Sequence, residues 1–354
     1  YNVSVRGGSK NVSYMVSGRY YHQDGIFRIG PDDFDSFNTR AKVDVQICPW
    51  LKLTSNTRFF HSKYHYAGNE YRRPTLHALA SFVPVNPDGT FVSHTTLTQS
   101  AAHYIMDGYS AMLHKGVQFG TQKITELTSS WILTADITDK LKFNVDFSYK
   151  FGYQRSPYRD ATVQYSQYPG EIETESTLYI DQYSDTVNER NDYVANAFLS
   201  YADTWNEDHD FTGTVGVNYE ARNYNDVLVR RQNMLTEELS DFNLAFGNVD
   251  KLTGGVKEYA LAGLFYRFTY AWKSRYLFET NGRLDGSSRF PKGNQWGFFP
   301  SVSAAWRLSE EPWMADVKSV MNNAKLRVSY GSLGNQNIGY YDYYQTVDTN
   351  GTLS

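Results

Sequence analysis

Six of the eight histidines, His61, His65, His77, His94, His103 and His114, crowd into residues 61–114, and imidazole is the commonest metal ligand. His61 and His65 have the spacing of a helical metal pair. Residue 61, however, continues a strand pattern, in which four residues span roughly 13 Å, too far for one ion. The carboxylates Asp32, Asp33 and Asp35 offer the oxygen ligands that calcium takes, and read more simply as an exposed acidic loop. Glu171, Glu173 and Glu175 lie in a polar stretch and read as a solvated face. Glu310 and Glu311, between Ser309 and Pro312, suit the positive end of a helix better than a catalytic acid pair. The chain has no nucleophile motif and no glycine-rich phosphate loop, and its one cysteine, Cys48, allows neither an internal disulfide nor a cysteine metal cluster. Nothing here calls for an enzyme, a metal or a cofactor. The net charge of -4 gives no electrostatic reason to expect nucleic acid.

Binding is the chemistry that the residues do support. In "KYHYAGNEYRR" (63–73), Tyr64, Tyr66 and Tyr71 offer flat apolar faces, while Asn69, Glu70, Arg72 and Arg73 offer hydrogen bonds. A site for a polar, ring-containing solute needs both. The alternative is that these tyrosines pack a long loop onto itself. In "DGSSRF" (285–290) Asp285-Gly286 and two serines are turn chemistry, and Arg289, which could reach a ligand, reads more simply as a satisfied loop arginine.

The elements that must carry these residues are strands. In "LKFNVDFSYKF" (141–151) Leu141, Phe143, Val145, Phe147 and Tyr149 fall on one face, and Lys142, Asn144 and Asp146 on the other. The same alternation recurs at 11–21, 37–47, 50–60, 129–138, 191–201, 210–222, 259–272, 275–285, 296–308 and 324–331, with 1–7 as a partial strand. These are about twelve strands of roughly ten residues, the length that a tilted strand needs to cross a bilayer. The connections alternate in length. Tight turns at 48–50, 138–140 and 273–275 alternate with long loops at 61–128, 152–190 and 223–257, the pattern of short periplasmic turns and long extracellular loops. In the connection 309–323, Trp313, Val317 and Val320 recur at helical spacing, which predicts a short periplasmic helix at about 310–322. Trp50, Trp205, Trp272, Trp306 and Trp313 fall at or near the connections on the periplasmic side, as an aromatic girdle would.

Composition agrees. Aromatic residues make up 16% of the chain, as suits surfaces that are apolar at one end and wet at the other. No apolar run approaches the ~20 residues of a membrane helix. The mean hydropathy of -0.55 is compatible with barrel strands, which average out to polar. The expectation is an all-β, transmembrane antiparallel barrel, with Phe143 and its neighbours facing lipid and Lys142, Asn144 and Asp146 facing a wet lumen. The competing expectation is a secreted or surface β-rich glycan-binding or adhesion protein without transport activity.

The stretches "RYLFETNGRLDGSSRFPKGNQWGFFPSVSAAWRLSEEPWM" (275–314) and "LRVSYGSLGNQNIGYYDYY" (326–344) resemble the C-terminal half of SusC-like TonB-dependent transporters. "YNVSVRGGSKNVSYMVSGRYYHQDGIF" (1–27) resembles an earlier barrel segment of that family, and "VNPDGT" (85–90) a loop turn. The resemblance implies a multi-pass barrel of about 22 strands with a plugged lumen in the outer membrane of a Gram-negative bacterium. It implies import of oligosaccharides or peptides, a SusD-like surface lipoprotein as partner, and energy from the TonB–ExbB–ExbD complex acting on the plug. Residues 1–354 then read as an internal piece of barrel with no plug and no TonB box. On this reading 63–73 could also be a docking surface for the lipoprotein.

Overall fold

The computed structural model describes residues 1–25, 32–67, 87–90, 118–161, 163–165, 170–171, 173–175, 181–236, 239–317 and 319–343. Its strands are β1 (Asn2–Gly8), β2 (Val12–Asp24), β3 (Asp33–Cys48), β4 (Leu51–Ala67), β5 (Gln118–Asp136), β6 (Leu141–Asp160), β7 (Val163–Tyr165), β8 (Glu173–Glu175), β9 (Gln182–Trp205), β10 (His209–Gln232), β11 (Val249–Trp272), β12 (Tyr276–Ser287), β13 (Trp296–Arg307) and β14 (Lys325–Gly331). Twelve of them form one antiparallel meander in the order β1-β2-β3-β4-β5-β6-β9-β10-β11-β12-β13-β14, while β7 and β8 pair as a separate hairpin. Every pairing in the large sheet joins consecutive wall strands, and β1 and β14 are its two open edges. The twelve wall strands correspond one for one to the alternating segments in the sequence.

Local chemistry sets the tight end. Asn206 and Glu207 have φ of 50° and 63°, and Lys273 and Ser274 have 49° and 55°. Two successive positive φ values at the centre of a β-turn give the twist that matches a hairpin, here within connections of three residues, 206–208 and 273–275. Arg275 N accordingly donates to Trp272 O at 2.9 Å. At the β5–β6 turn the Thr138 hydroxyl accepts from the backbone of Lys140 and Leu141.

Two expectations need correcting. The long connections are shorter than the sequence implied, because the strands run on past the apolar alternation: β4 to Ala67 and β5 from Gln118, β6 to Asp160 and β9 from Gln182, β10 to Gln232 and β11 from Val249. Those extensions mix apolar and polar residues on both faces, as where Val227, Leu228 and Val229 follow one another in β10, so amphipathic periodicity does not mark them. The connection expected as a helix at 310–322 holds two short 3-10 turns, Leu308–Glu310 and Pro312–Val317. Glu311 does not serve a helix end. Its carboxylate accepts from the Trp306 indole at 2.9 Å and the Tyr276 hydroxyl at 2.8 Å, which hold it below the usual carboxylate range. This pins the connection to the sheet.

There is almost no conventional core. Among the described residues the buried apolar side chains are Ala135, Ala161, Tyr183, Met234, Ala245 and Tyr259. Three of these, Tyr183, Met234 and Ala245, pack with Phe242 and Leu244 to fold the connection after β10 onto the end of β9. Below it, the buried Arg159 guanidinium meets Asp181 Oδ1 at 2.5 Å. Asp181 Oδ2 in turn accepts from the Met234 amide.

Candidate functional site: the two faces of the wall

Register carries each side chain to one of two faces, and the faces differ completely in chemistry. One face contains Leu141, Phe143, Val145, Phe147 and Tyr149 of β6. Pairing places Leu133 and Trp131 beside them on β5, and Leu199, Ala197 and Ala195 on β9. Following the register around the sheet, this face carries Val43 and Val45 of β3, Val215 and Val217 of β10, Leu264 and Phe268 of β11, Phe278 of β12, Val302 of β13 and Val328 of β14. Over the half of the wall next to the tight turns, none of its residues is Asp, Glu, Lys or Arg. Val217, Leu264, Phe298 and Val328 are 48, 52, 55 and 69% exposed, and no second layer of the described residues packs on them. Such a continuous apolar surface far exceeds the few hundred Å² that soluble monomers leave open.

The opposite face is a lattice of polar contacts. Asn218 donates to Asn196 at 2.6 Å, and Asn196 donates to Asp146 at 2.7 Å, which links β10, β9 and β6. Thr134 bonds Asn144 at 3.1 Å and Ser148 bonds Ser130 at 2.8 Å. Lys142 reaches Asp136 at 3.0 Å, and Glu126 meets Lys150 at 2.8 Å. Asp192 accepts from Arg222 and Arg190 at 2.6 and 2.7 Å. Oppositely charged neighbours at this density suit a wet surface and would be costly against hydrocarbon.

Aromatic side chains collect on the polar face near its long-loop end. Tyr64 and Tyr66 lie on β4, not in a loop, and they extend a line of rings. Tyr21–Phe34, Phe34–Tyr64, Tyr64–Tyr66 and Tyr66–Tyr158 have centroids 6.2, 6.4, 5.5 and 6.3 Å apart. Gly120 of β5 sits in register between Tyr66 and Tyr158. A Cβ there would fall 2.7 Å from Cε2 of Tyr66, so only glycine lets the two rings close over β5. Burial raises the Tyr66 hydroxyl above its ordinary range. Beside Tyr64 lies a recess of about 520 Å³, lined by Gln23, Phe34, Phe60, Ser62 and Gln122 among others. That volume lies within the range of small-molecule sites. Phe34, Tyr158 and Gly120 were not singled out in the sequence, because their meeting depends on register across four strands. Asn69, Tyr71, Arg72 and Arg73 lie outside the described residues, as do Glu70, His77, His94, His103 and His114.

The other candidates resolve into local partners. His61 bonds Thr125 at 3.0 Å and His65 bonds Asp33 at 3.0 Å, so the pair is not convergent. Asp35 is taken by Tyr20 and His22. Among the described residues no three His, Cys, Asp or Glu side chains gather as a metal site. Arg289, in the loop after β12, stacks over Tyr259 of β11 and Tyr340 at 4.3 and 5.0 Å and donates to the Ile338 carbonyl at 3.0 Å, so its partners come from β11 and from the segment after β14. In "VNPDGT", Asp88 accepts from Thr90 and from the Gly170 amide at 2.9 Å, which ties two long connections together.

Comparison with known proteins gives the same wall. No family model matches the chain. It is 27% identical over 360 residues to the TonB-dependent receptor SusC of Bacteroides thetaiotaomicron, covering 96% of this chain and 34% of SusC. It is 26% identical over 352 residues to TonB-dependent receptor P3 of Formosa agariphila, covering 96% of this chain and 33% of that protein. Among solved structures, the RagAB peptide transporter matches with a TM-score of 0.75 at 19% identity, over 98% of this chain and 38% of that one. The ferric-catecholate import receptor Fiu of E. coli matches at 0.51 and 14% identity, over 93% of this chain and 51% of that one. The chain spans about a third of the length of the curated relatives it matches. In sequence it is similar to SusC-like TonB-dependent receptors over nearly its whole length, and its fold is a partial barrel of the TonB-dependent transporter kind.

Proposed function

We propose that this chain forms wall strands of an outer-membrane, TonB-dependent importer of the SusC kind. The apolar face, over its uncharged half, meets lipid, the polar face lines the lumen, and the long connections lie outside the cell. The observation that carries this reading is the contrast between the two faces. An apolar surface with no layer over it needs hydrocarbon for a solvent, and a single-layered antiparallel wall that closes on itself can span hydrocarbon with its backbone satisfied. No helix of the described residues is long and apolar enough to cross a membrane, which says nothing against crossing by strands.

The solute is an oligosaccharide or a peptide. It meets the ring line from Phe34 to Tyr158 and the adjoining recess, with Asn69, Tyr71, Arg72 and Arg73 contributing from the connection after β4. A SusD-like lipoprotein closes the extracellular side, and TonB–ExbB–ExbD supplies energy through a plug carried elsewhere in the polypeptide. The similarity to SusC and to the RagAB peptide transporter supports this assignment. The test is uptake of labelled glycan and peptide mixtures by cells that carry the full-length protein. Uptake should stop when the proton gradient is collapsed, and the protein should need detergent for extraction. Release of the protein by salt alone, with binding but no uptake, would favour the adhesion reading.

A further inference from the structure

On the apolar face, past the half that carries no charge, register sets four charges side by side: Asp35 opposite Lys63, Lys63 opposite Lys123, and Lys123 opposite Arg155. Paired residues of antiparallel strands hold their Cβ atoms about 4.5–5.5 Å apart, and like charges there destabilise the pair. The ends of the row are engaged elsewhere. Asp35 accepts from the Tyr20 hydroxyl at 2.5 Å and from His22 at 2.9 Å. Arg155 gives both Nε and Nη2 to Asp185, each at 2.7 Å. The other nearby carboxylates are held too, Asp33 by His65 and Asp24 by His22. Lys63 and Lys123 face each other with no ion pair within 4.0 Å among the described residues, although Lys63 still feels the Asp35 carboxylate opposite it. His61 and Thr125, bonded to each other, lie one row nearer the apolar band.

Height gives the pair a meaning. The last row that is apolar across β4, β5 and β6 is Phe59, Leu127 and Phe151, with Phe37 and Tyr153 flanking His61 and Thr125 in the next, and the lysines stand four residues beyond it. That is about 13 Å along a strand, or about 10 Å along the membrane normal at the usual barrel tilt of roughly 40°. Headgroups occupy about 5–8 Å beyond the hydrocarbon, and lysine stems bend several ångströms toward the level that suits the ammonium. Both ammoniums thus reach the plane of the lipid phosphates.

We propose that Lys63 and Lys123, with His61 below them, bind the phosphate of a phosphate-bearing lipid headgroup in the outer leaflet and hold one lipid against β4 and β5. A phosphate between the lysines turns a repulsive pair into two charge-assisted contacts. The inference rests on the lipid-facing reading of this surface given above, and the two can fail separately.

The experiment measures lipid phosphorus retained by the full-length protein after purification in mild detergent, with native mass spectrometry to identify the bound species. The Lys63→Gln/Lys123→Gln variant should retain at least tenfold less phosphate-bearing lipid. Lys63→Arg/Lys123→Arg, which keeps the charge, should retain it. Lys52→Gln on the polar face, where Lys52 is paired with Asp44, should match the parent. Added lipid should compete, and inorganic phosphate at millimolar concentration should not. Equal retention by the Gln variant, or displacement by inorganic phosphate alone, overturns the proposal. Bromine-labelled acyl chains test the face itself through Trp131, with Trp131→Phe as reference. Quenching of Trp131 alongside unchanged lipid retention would refute the phosphate site alone, whereas absence of quenching would refute the lipid-facing reading.

Discussion

Gly120 is the smallest residue in the candidate solute site, and the ring line depends on it. Tyr66 and Tyr158 stack at 6.3 Å with an interplanar angle of 18°, across a strand that has no side chain at that point. A methyl group at Gly120 collides with the far edge of the Tyr66 ring, which must swing off Tyr158 to admit it. If the rings hold the solute, Gly120→Ala should weaken binding toward the level of Tyr66→Ala without removing any aromatic group. Truncating a binding aromatic typically costs about 2 kcal/mol, roughly a thirtyfold loss of affinity. Titration calorimetry with the full-length protein would measure both variants, and binding of the proposed lipoprotein serves as the control. If solute affinity holds while the lipoprotein detaches, the line is a docking surface instead.

A whole strand shows how much of this was legible. β6 declared itself in sequence from Leu141 to Phe151, because there each face has one chemistry and alternation is unbroken. Its continuation, Gly152 to Asp160, mixes Tyr153, Arg155 and Pro157 on one face with Gln154 and Ser156 on the other. The sequence alone makes it part of a loop, since neither of its faces keeps one chemistry. Tyr64 and Tyr66 were placed beyond their strand for the same reason. The ring line was illegible because it joins β2, β3, β4 and β6, and register between strands has no local signal. The clear half of β6 gives a sharp test. A cationic side chain near the bilayer midplane costs about 2–4 kcal/mol, so Val145→Arg should block assembly of the heat-resistant barrel. Asn144→Arg, one residue away, points into a face already rich in charge and should assemble. Equal mobility of both variants on gels run without boiling would remove the assignment of faces.

At the scale of the molecule, orientation follows from the connections and can be tested apart from the faces. Every turn between β1 and β2, β3 and β4, β5 and β6, β9 and β10, and β11 and β12 lies at one end of the sheet, along with the short 3-10 turns before β14. Trp50, Trp205, Trp272 and Trp306 gather at that end as well. There Trp205 donates to Asp203 at 2.6 Å and Trp306 to Glu311 at 2.9 Å, so each indole has an apolar face and a satisfied N–H. That division suits the membrane–water boundary. The connections 68–117, 161–181 and 233–248 leave from the other end, which also carries the ring line and the lysine row. On the proposed function, solute capture, lipoprotein docking and outer-leaflet headgroups all belong outside the cell, so the long end should be extracellular. A short epitope inserted at Gly89, in an exposed turn where Asp88 accepts from the Thr90 and Gly170 amides, should be labelled by antibody on intact cells. The same epitope at Asp139, in the β5–β6 turn, should be labelled only after the outer membrane is permeabilised. Labelling of the Asp139 insertion on intact cells, with none at Gly89, would invert the barrel. The ring line would then open to the periplasm, where it could not make first contact with an external solute, and the lysine row would have to find its phosphate in the inner leaflet.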